Sequence, residues 1–260
     1  MNPTRRKLAI ATWGPPDEGN IFGKLTVNAT NAQAWIADVR EKTGEKVTIT
    51  HLVGKAIALG LAKAPQINGR IAWGSYIPHD SVDITYLVSL EEGADLAKVK
   101  IANMDKKPVT EVAQELKRRS EKLRAGQDDE FEKSKGLLRA LPTWILRPIL
   151  QFTGWLTGSL GVSLGALGLE AYPFGSCIVT SVGMLGIDEA FAPHTPFAHV
   201  PVLVLVGAVR DVPAVVDGQI VIQAQLTLTA TIDHRFVDGF QLATVAKTIR
   251  AVLENPAELA

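Results

Sequence analysis

Two long runs rich in β-branched residues, VPVLVLVGAV at 200–209 and QIVIQAQLTLTATI at 219–232, flank the dipeptide Asp217-Gly218. Glycine tolerates the positive φ of a tight hairpin turn, so the arrangement predicts adjacent antiparallel strands. Further strands are expected at 82–88 (VDITYLV), 97–101 (AKVKI) and 176–182 (SCIVTSV). Helical spacing appears at 31–42 through Trp35, Ile36 and Val39, and at 50–64 from Leu52 to Ala64, closed by Pro65. A surface helix is expected at 109–123, with Val112 and Leu116 inward and Glu115–Arg119 as an outer i,i+4 pair. The last helix, 239–253, carries Leu242, Val245, Ile249 and Leu253 on its stripe. Strands and helices mix without regular βαβ alternation, which predicts an α+β fold with helices packed on a largely antiparallel or mixed sheet.

At 260 residues the chain has room for between one and two domains. No repeat or flexible linker divides it, so one domain spanning 1–260 is expected. The 27 basic and 27 acidic side chains cancel, which argues against a whole-chain field for nucleic acid. The sole cysteine, Cys177, excludes an internal disulfide framework. With no apolar signal core in MNPTRRKLAIATW, a reducing and therefore cytoplasmic setting is expected.

A strand gives way to a helix at Thr231-Ile232-Asp233-His234-Arg235-Phe236-Val237-Asp238-Gly239. An imidazole, with an ordinary pKa of roughly 6.5, accepts and returns protons near neutrality, which makes His234 a candidate general base. Asp238, followed by Gln241, also fits a helix N-cap with its capping-box partner. Chance alone gives about 0.02 occurrences of HxxxDG in such a chain, so the motif informs without deciding.

Four segments in order carry a more specific signal: VTITHLVGKAIALGLAKAPQIN, ANMDKKPVTEVAQELKRRSEKLRAG, GSCIVTSVGMLGID and ATIDHRFVDGFQLATVAKTIRAVLENP. Together they resemble the acyltransferase catalytic domain of 2-oxo-acid dehydrogenase complexes, a family similar to chloramphenicol acetyltransferase. The resemblance implies a chloramphenicol acetyltransferase-like two-layer sandwich and a homotrimer with each active site between two subunits. It also implies CoA-dependent acyl transfer to a thiol such as dihydrolipoamide. His234 is implied as the base, Thr180 of a neighbouring subunit as the oxyanion donor, and Asp238 with Arg235 as orienting groups. Acyl-CoA is then the substrate, other 2-oxo-acid dehydrogenase components are partners, and assembly of trimers into a cage stays open. No metal, lipoyl group or nucleic-acid partner is expected on this chain.

Other polar residues read as structural. Cys177 lies in an apolar strand and reads as an inert buried thiol. His194 and His199 lack ligands at metal-binding spacing, and His51 and His79 read as ordinary. Lys106 follows Asp105 as in a lipoyl turn, but its flanks match the catalytic domain.

Three features depart from the family. The chain starts almost at the catalytic domain, so lipoyl and subunit-binding modules are not expected in it. LEEGADLAKVKI places charges where the family has an uncharged segment near its substrate channel. Residues 134–174 form an insertion, and 148–169 within it carry no charge. From Leu137 to Leu156, helical spacing aligns Leu138, Leu141, Trp144, Ile145, Ile149, Phe152 and Trp155 opposite Arg139, Thr143, Arg147 and Gln151. The pairs Gly154/Gly158 and Gly161/Gly165 have close-packing spacing. A spanning helix is rejected, because a single crossing would separate Thr180 and His234 from the first-half helices. Packing within the protein's own trimer and lying on a membrane surface both stay open. The rival function is a catalytically idle trimeric scaffold or assembly protein, peripheral to a membrane through the insertion. Transfer to a hydroxyl or amine is a third reading.

Overall fold

The computed structural model describes residues 19–90, 95–127, 141–163, 165 and 169–259. In chain order the elements are β1 (Asn20–Asn28), α1 (Thr30–Thr43), α2 (Ile49–Lys63), β2 (Gly69–Ala72), β3 (Ser75–Pro78), β4 (Ile84–Leu90) and β5 (Asp95–Ile101). Then follow α3 (Val109–Arg124), α4 (Thr143–Gly154), β6 (Cys177–Ser181), β7 (Val202–Val216), β8 (Gln219–Asp233) and α5 (Gly239–Glu254). Six strands make one mixed sheet in the order β1-β8-β7-β6-β4-β5, parallel at β7-β6 and β6-β4 and antiparallel elsewhere. β2 and β3 form a separate antiparallel hairpin.

The long hairpin closes as its dipeptide demands, with φ of 50° at Asp217 and 79° at Gly218, and Val216 opposite Gln219. Three strands were not anticipated. In β1, Ile21, Leu25 and Val27 alternate with Phe22, Lys24 and Thr26, but Gly23 interrupts the apolar series. β2 and β3 are only four residues each and turn on Trp73-Gly74, a dipeptide without a turn signature.

Period-two alternation divides the sheet's faces. Cys177, Val179, Val202, Val204 and Val206 join the main core with Leu52, Ile57 and Leu61 of α2 and Leu253 of α5. Burying each such side chain contributes about 1.5–3 kcal/mol. Gly54 lets α2 close on β4: a Cβ there would lie 1.8 Å from Tyr86 Oη. Lys55, also on α2, donates to the carbonyls of Met104, Asp105 and Lys107 at 3.3, 2.7 and 2.7 Å, which fixes the turn around Lys106. The Glu115–Arg119 pair forms at 2.7 Å.

The opposite face is covered by the chain between β6 and β7. Ile178 and Leu203 pack there with Ala198 and Val200. Thr229 and Thr231 of β8 donate to the carbonyls of Ala190 and Ala192. Arg210 holds Asp188 at 2.6 Å, and Phe22 meets Phe191 edge-on.

The insertion's described helix is shorter than the Leu137–Leu156 run of helical spacing. α4 begins after Pro142 and continues into a π-helical turn at Trp155–Ser159; residues 137–140 lie outside the described residues. The stripe containing Trp144, Phe152 and Trp155 faces outward, whereas Leu146, Gly154, Thr157, Gly158 and Ser159 are buried. The glycines explain this. A Cβ on Gly154 would lie 2.3 Å from the Phe197 carbonyl oxygen, and one on Gly158 would lie 2.9 Å from His199 Cβ. Their close-packing spacing serves a contact with the loop at 197–199 within the same chain. Beyond it, Glu170 receives Lys98 and Lys100 at 3.1 Å each, and those lysines also bond the Pro173 and Tyr172 carbonyls. The cations of β5 therefore anchor the insertion's end; Glu91, Glu92, Gly93 and Ala94 lie outside the described residues. No helix among the described residues is long and apolar enough to cross a membrane.

Candidate functional site

β8 ends at Asp233, and the next five residues turn into α5. His234 stands on this turn with an exposed side chain, its backbone N–H on the Gly19 carbonyl at 3.3 Å. Its Nδ1 lies 2.7 Å from the Val237 carbonyl oxygen. A carbonyl can only accept, so Nδ1 carries the proton and the neutral ring keeps its lone pair on Nε2.

Asp238 is the N-cap of α5: its carboxylate accepts from the Phe240 N–H at 3.0 Å, and Gln241 returns to the Asp238 N–H at 3.2 Å. Arg235 and Asp238 share the turn, but the carboxylate that holds Arg235 is Asp233. Nε lies 3.0 Å from both Asp233 oxygens and a terminal nitrogen 2.5 Å from Oδ2. Burial alone would raise the Asp233 pKa, yet the Arg235 hydrogen bonds hold the carboxyl below its ordinary value. Reading the motif by its HxxxD spacing missed Asp233. The adjacency Asp-His-Arg at a strand end was the signal available.

Thr180 is half-buried on β6, on the face shared with Ile178 and away from the helices. The register runs Thr180–Leu205–Thr229 across β6, β7 and β8. His234 is thus two strands across and five residues further along. At about 4.8 Å per strand and 3.3 Å per residue, this is roughly 19 Å within one chain. One chain cannot bring these two side chains to the same carbonyl carbon. Both lead into uncovered apolar side chains: Met184 and Leu185 follow Thr180 at 78% and 71% exposure, and Phe240 follows His234 at 81%.

Cys177 and three other histidines have structural surroundings. Burial pushes the Cys177 thiol well up, away from its reactive form. His51 is half of the α2 capping box, its Nδ1 accepting the Thr48 N–H at 3.1 Å, and burial with Arg40 nearby lowers its pKa to about 4. His79 meets the Tyr172 ring edge-on, centroids 4.8 Å apart, and His199 Nδ1 lies 3.0 Å from Ser159 Oγ; burial lowers the pKa of both histidines. The Ser159–His199 contact lies between the insertion and a loop and had no local sequence signal. An apolar crevice of about 130 Å³ lies between the sheet and the helices α2 and α5, lined by Leu25, Leu61, Leu228 and Val245.

Comparison with known proteins gives this geometry a family. Residues 23–136 and 164–260 match the 2-oxoacid dehydrogenases acyltransferase (catalytic domain) model. A mitochondrial dihydrolipoyllysine-residue succinyltransferase of Saccharomyces cerevisiae is 25% identical over 264 residues, covering 98% of this chain and 47% of that protein. A dihydrolipoyllysine-residue acetyltransferase of the acetoin cleaving system of Bacillus subtilis is 27% identical, covering 90% of this chain and 48% of its own length. The chain therefore spans about half the length of these relatives. Among solved structures, a probable dihydrolipoamide acetyltransferase from Listeria monocytogenes superposes with TM-score 0.72 at 19% identity, covering 98% of this chain and 93% of its own. The dihydrolipoamide acetyltransferase of Azotobacter vinelandii gives 0.69 at 21%, covering 98% and 87%. A serine, a histidine and an asparagine four positions after that histidine were investigated there for their role in its catalytic mechanism. Chloramphenicol acetyltransferase gives 0.51 at 13% identity, covering 96% and 95%. The fold is thus the one the sequence resemblance implied.

Proposed function

Because the chain belongs to the 2-oxoacid dehydrogenase acyltransferase family, we propose that it moves an acyl group between CoA and a thiol such as dihydrolipoamide. The active site in this proposal lies between two subunits of a homotrimer. The observation that carries the reading is the His234 ring, held by the Val237 carbonyl at 2.7 Å with Nε2 available as a base. A thiol with a pKa near ~8.5 is mostly protonated at neutrality and attacks poorly. His234 Nε2 takes the S–H proton as the sulfur bonds the thioester carbonyl carbon. The tetrahedral intermediate places negative charge on the former carbonyl oxygen. Its collapse breaks the original C–S bond, and the departing thiolate recovers the proton from the imidazolium.

Thr180 of a second subunit donates its hydroxyl to that oxyanion, a contact worth about 3 kcal/mol in comparable sites. The roughly 19 Å between Thr180 and His234 within one chain supports assignment to different subunits. So do the exposed Met184, Leu185 and Phe240 beside them. The Azotobacter enzyme's histidine-to-asparagine spacing of four equals that of His234 and Asp238. Here the carboxylate oxygen at that position caps α5, and Asp233 orients Arg235.

Initial rates of acetyl exchange between acetyl-CoA and free dihydrolipoamide test the proposal. His234→Ala is expected to lower kcat by about 10²–10⁴. Equal rates for wild type and His234→Ala, both at the uncatalysed background, would assign the chain to a scaffold role.

A further inference from the structure

Ser159 closes the π-helical turn that follows α4, within the stretch 137–163 that the family model does not match, and it is 4% exposed. A buried hydroxyl and a buried carbonyl each need a partner. Ser159 finds both outside its own element. Its Oγ lies 3.0 Å from His199 Nδ1, and its carbonyl accepts from Arg70 Nε at 3.0 Å.

Each partner leads to the turn that carries His234. His199 stands two residues before Pro201, whose carbonyl accepts the Asp233 N–H at 2.9 Å. The loop is held there against a conformational cost, with His199 at φ 51°. Gly158 allows the contact, since a Cβ on it would lie 2.9 Å from His199 Cβ. Burial, and after it the charge of Arg235, lowers the His199 pKa while Asp233 opposes the shift, so the ring lies within electrostatic reach of the pair beside His234. Arg70 belongs to β2, where it pairs with Ile77 of β3, and the next β3 residue is Tyr76. The Tyr76 ring covers Gly69, where a Cβ would come within 2.5 Å of it, and meets Phe236 edge-on at 6.3 Å.

Asp233 and Phe236 bracket His234 and Arg235, so both ends of the turn rest on segments that Ser159 holds. We infer that Ser159 is a positioning residue for His234, acting from the insertion through the loop at 196–201 and the β2–β3 hairpin. An imidazole that must reach a reacting sulfur tolerates little displacement, since about 1 Å can cost ~100-fold in rate. The effect on turnover rests on the acyl-transfer reading, whereas the effect on the order of the turn does not.

Ser159→Ala removes the hydroxyl and keeps the carbonyl. Amide exchange at 234–238, followed by mass spectrometry on the full chain, should quicken about threefold or more with the sheet still protected. In acetyl exchange between acetyl-CoA and free dihydrolipoamide, kcat should fall about tenfold while KM for acetyl-CoA stays within about twofold. His199→Ala should behave alike. His199→Asn should restore both readouts, because asparagine offers the hydroxyl a donor and an acceptor at the same reach and tolerates positive φ. Faster exchange confined to 143–159 and 196–201, equal damage from His199→Asn and His199→Ala, or a raised KM at unchanged kcat would overturn the inference. A wild type without turnover would sink the acyl-transfer reading instead, and exchange at 234–238 would then decide the inference alone.

Discussion

Asp238 and Asp233 show how two neighbouring carboxylates divide their tasks. Asp238 needs only an acceptor oxygen for the Phe240 N–H, which asparagine also supplies. Asp238→Asn should retain stability within about 0.5 kcal/mol, and Asp238→Ala should lose about 1 kcal/mol, read from urea unfolding midpoints. Asp233 instead opposes the charge of Arg235 while itself buried, so its neutralisation would free the guanidinium beside His234. His51 sets a pH dependence. Its folded pKa of about 4 lies below the ordinary 6.5, so the unfolded chain binds more protons between those values. Stability is therefore full above pH 6.5 and should fall as pH drops toward 4, by at most about 3 kcal/mol from this residue. The half-buried His79 and His199 act in the same direction. His51→Gln should flatten the urea-midpoint profile over that interval. The strand-to-helix junction that carries His234 and the Asp238 cap were legible because motif and capping box are local in sequence. The Val237 carbonyl that fixes the imidazole tautomer was not, since any residue there offers the same backbone oxygen.

Among the elements, the four long amphipathic helices and five strands declared themselves through periodicity, because each turns one continuous apolar face to one core. In α4 periodicity found the apolar stripe but not the side that packs within the chain. Its larger apolar stripe faces outward, and glycines, which carry no hydropathy signal, select the buried side. Gly154→Ala should consequently detach α4 from the loop at 197–199, seen as faster amide exchange at 143–159 with the sheet still protected. At the α2–β4 contact, Gly54→Ala would drive a methyl into Tyr86 and should cost about 1–3 kcal/mol or more. Tyr86→Phe offers the contrast. Its buried hydroxyl has no partner among the described residues, so removal should be neutral or stabilising in thermal unfolding.

For the whole molecule, the central expectation concerns mixing. If each site takes His234 from one subunit and Thr180 from another, His234→Ala and Thr180→Ala chains are each impaired for a different reason. Unfolded together and refolded in equal amounts, they should regain up to about one quarter of wild-type activity, because half of the histidines and half of the threonines remain and combine at random. Recovery no greater than the sum of the two variants would rule out a site that takes His234 from one subunit and Thr180 from another.

The β7–β8 hairpin adds a consequence of its own. β1 supports it only as far as Gln225 and β6 only as far as Val206, yet the two strands continue to Val216 and Gln219. Beyond the sheet it is a bare two-stranded ribbon, with Ile220 and Ile222 80% and 82% exposed. Such a ribbon is marginal by itself in water. A protease should nick its tip near Asp217-Gly218 readily in dilute protein; if the proposed trimer covers the ribbon, cleavage should slow as concentration rises, and the rate then gauges how much of the population has assembled.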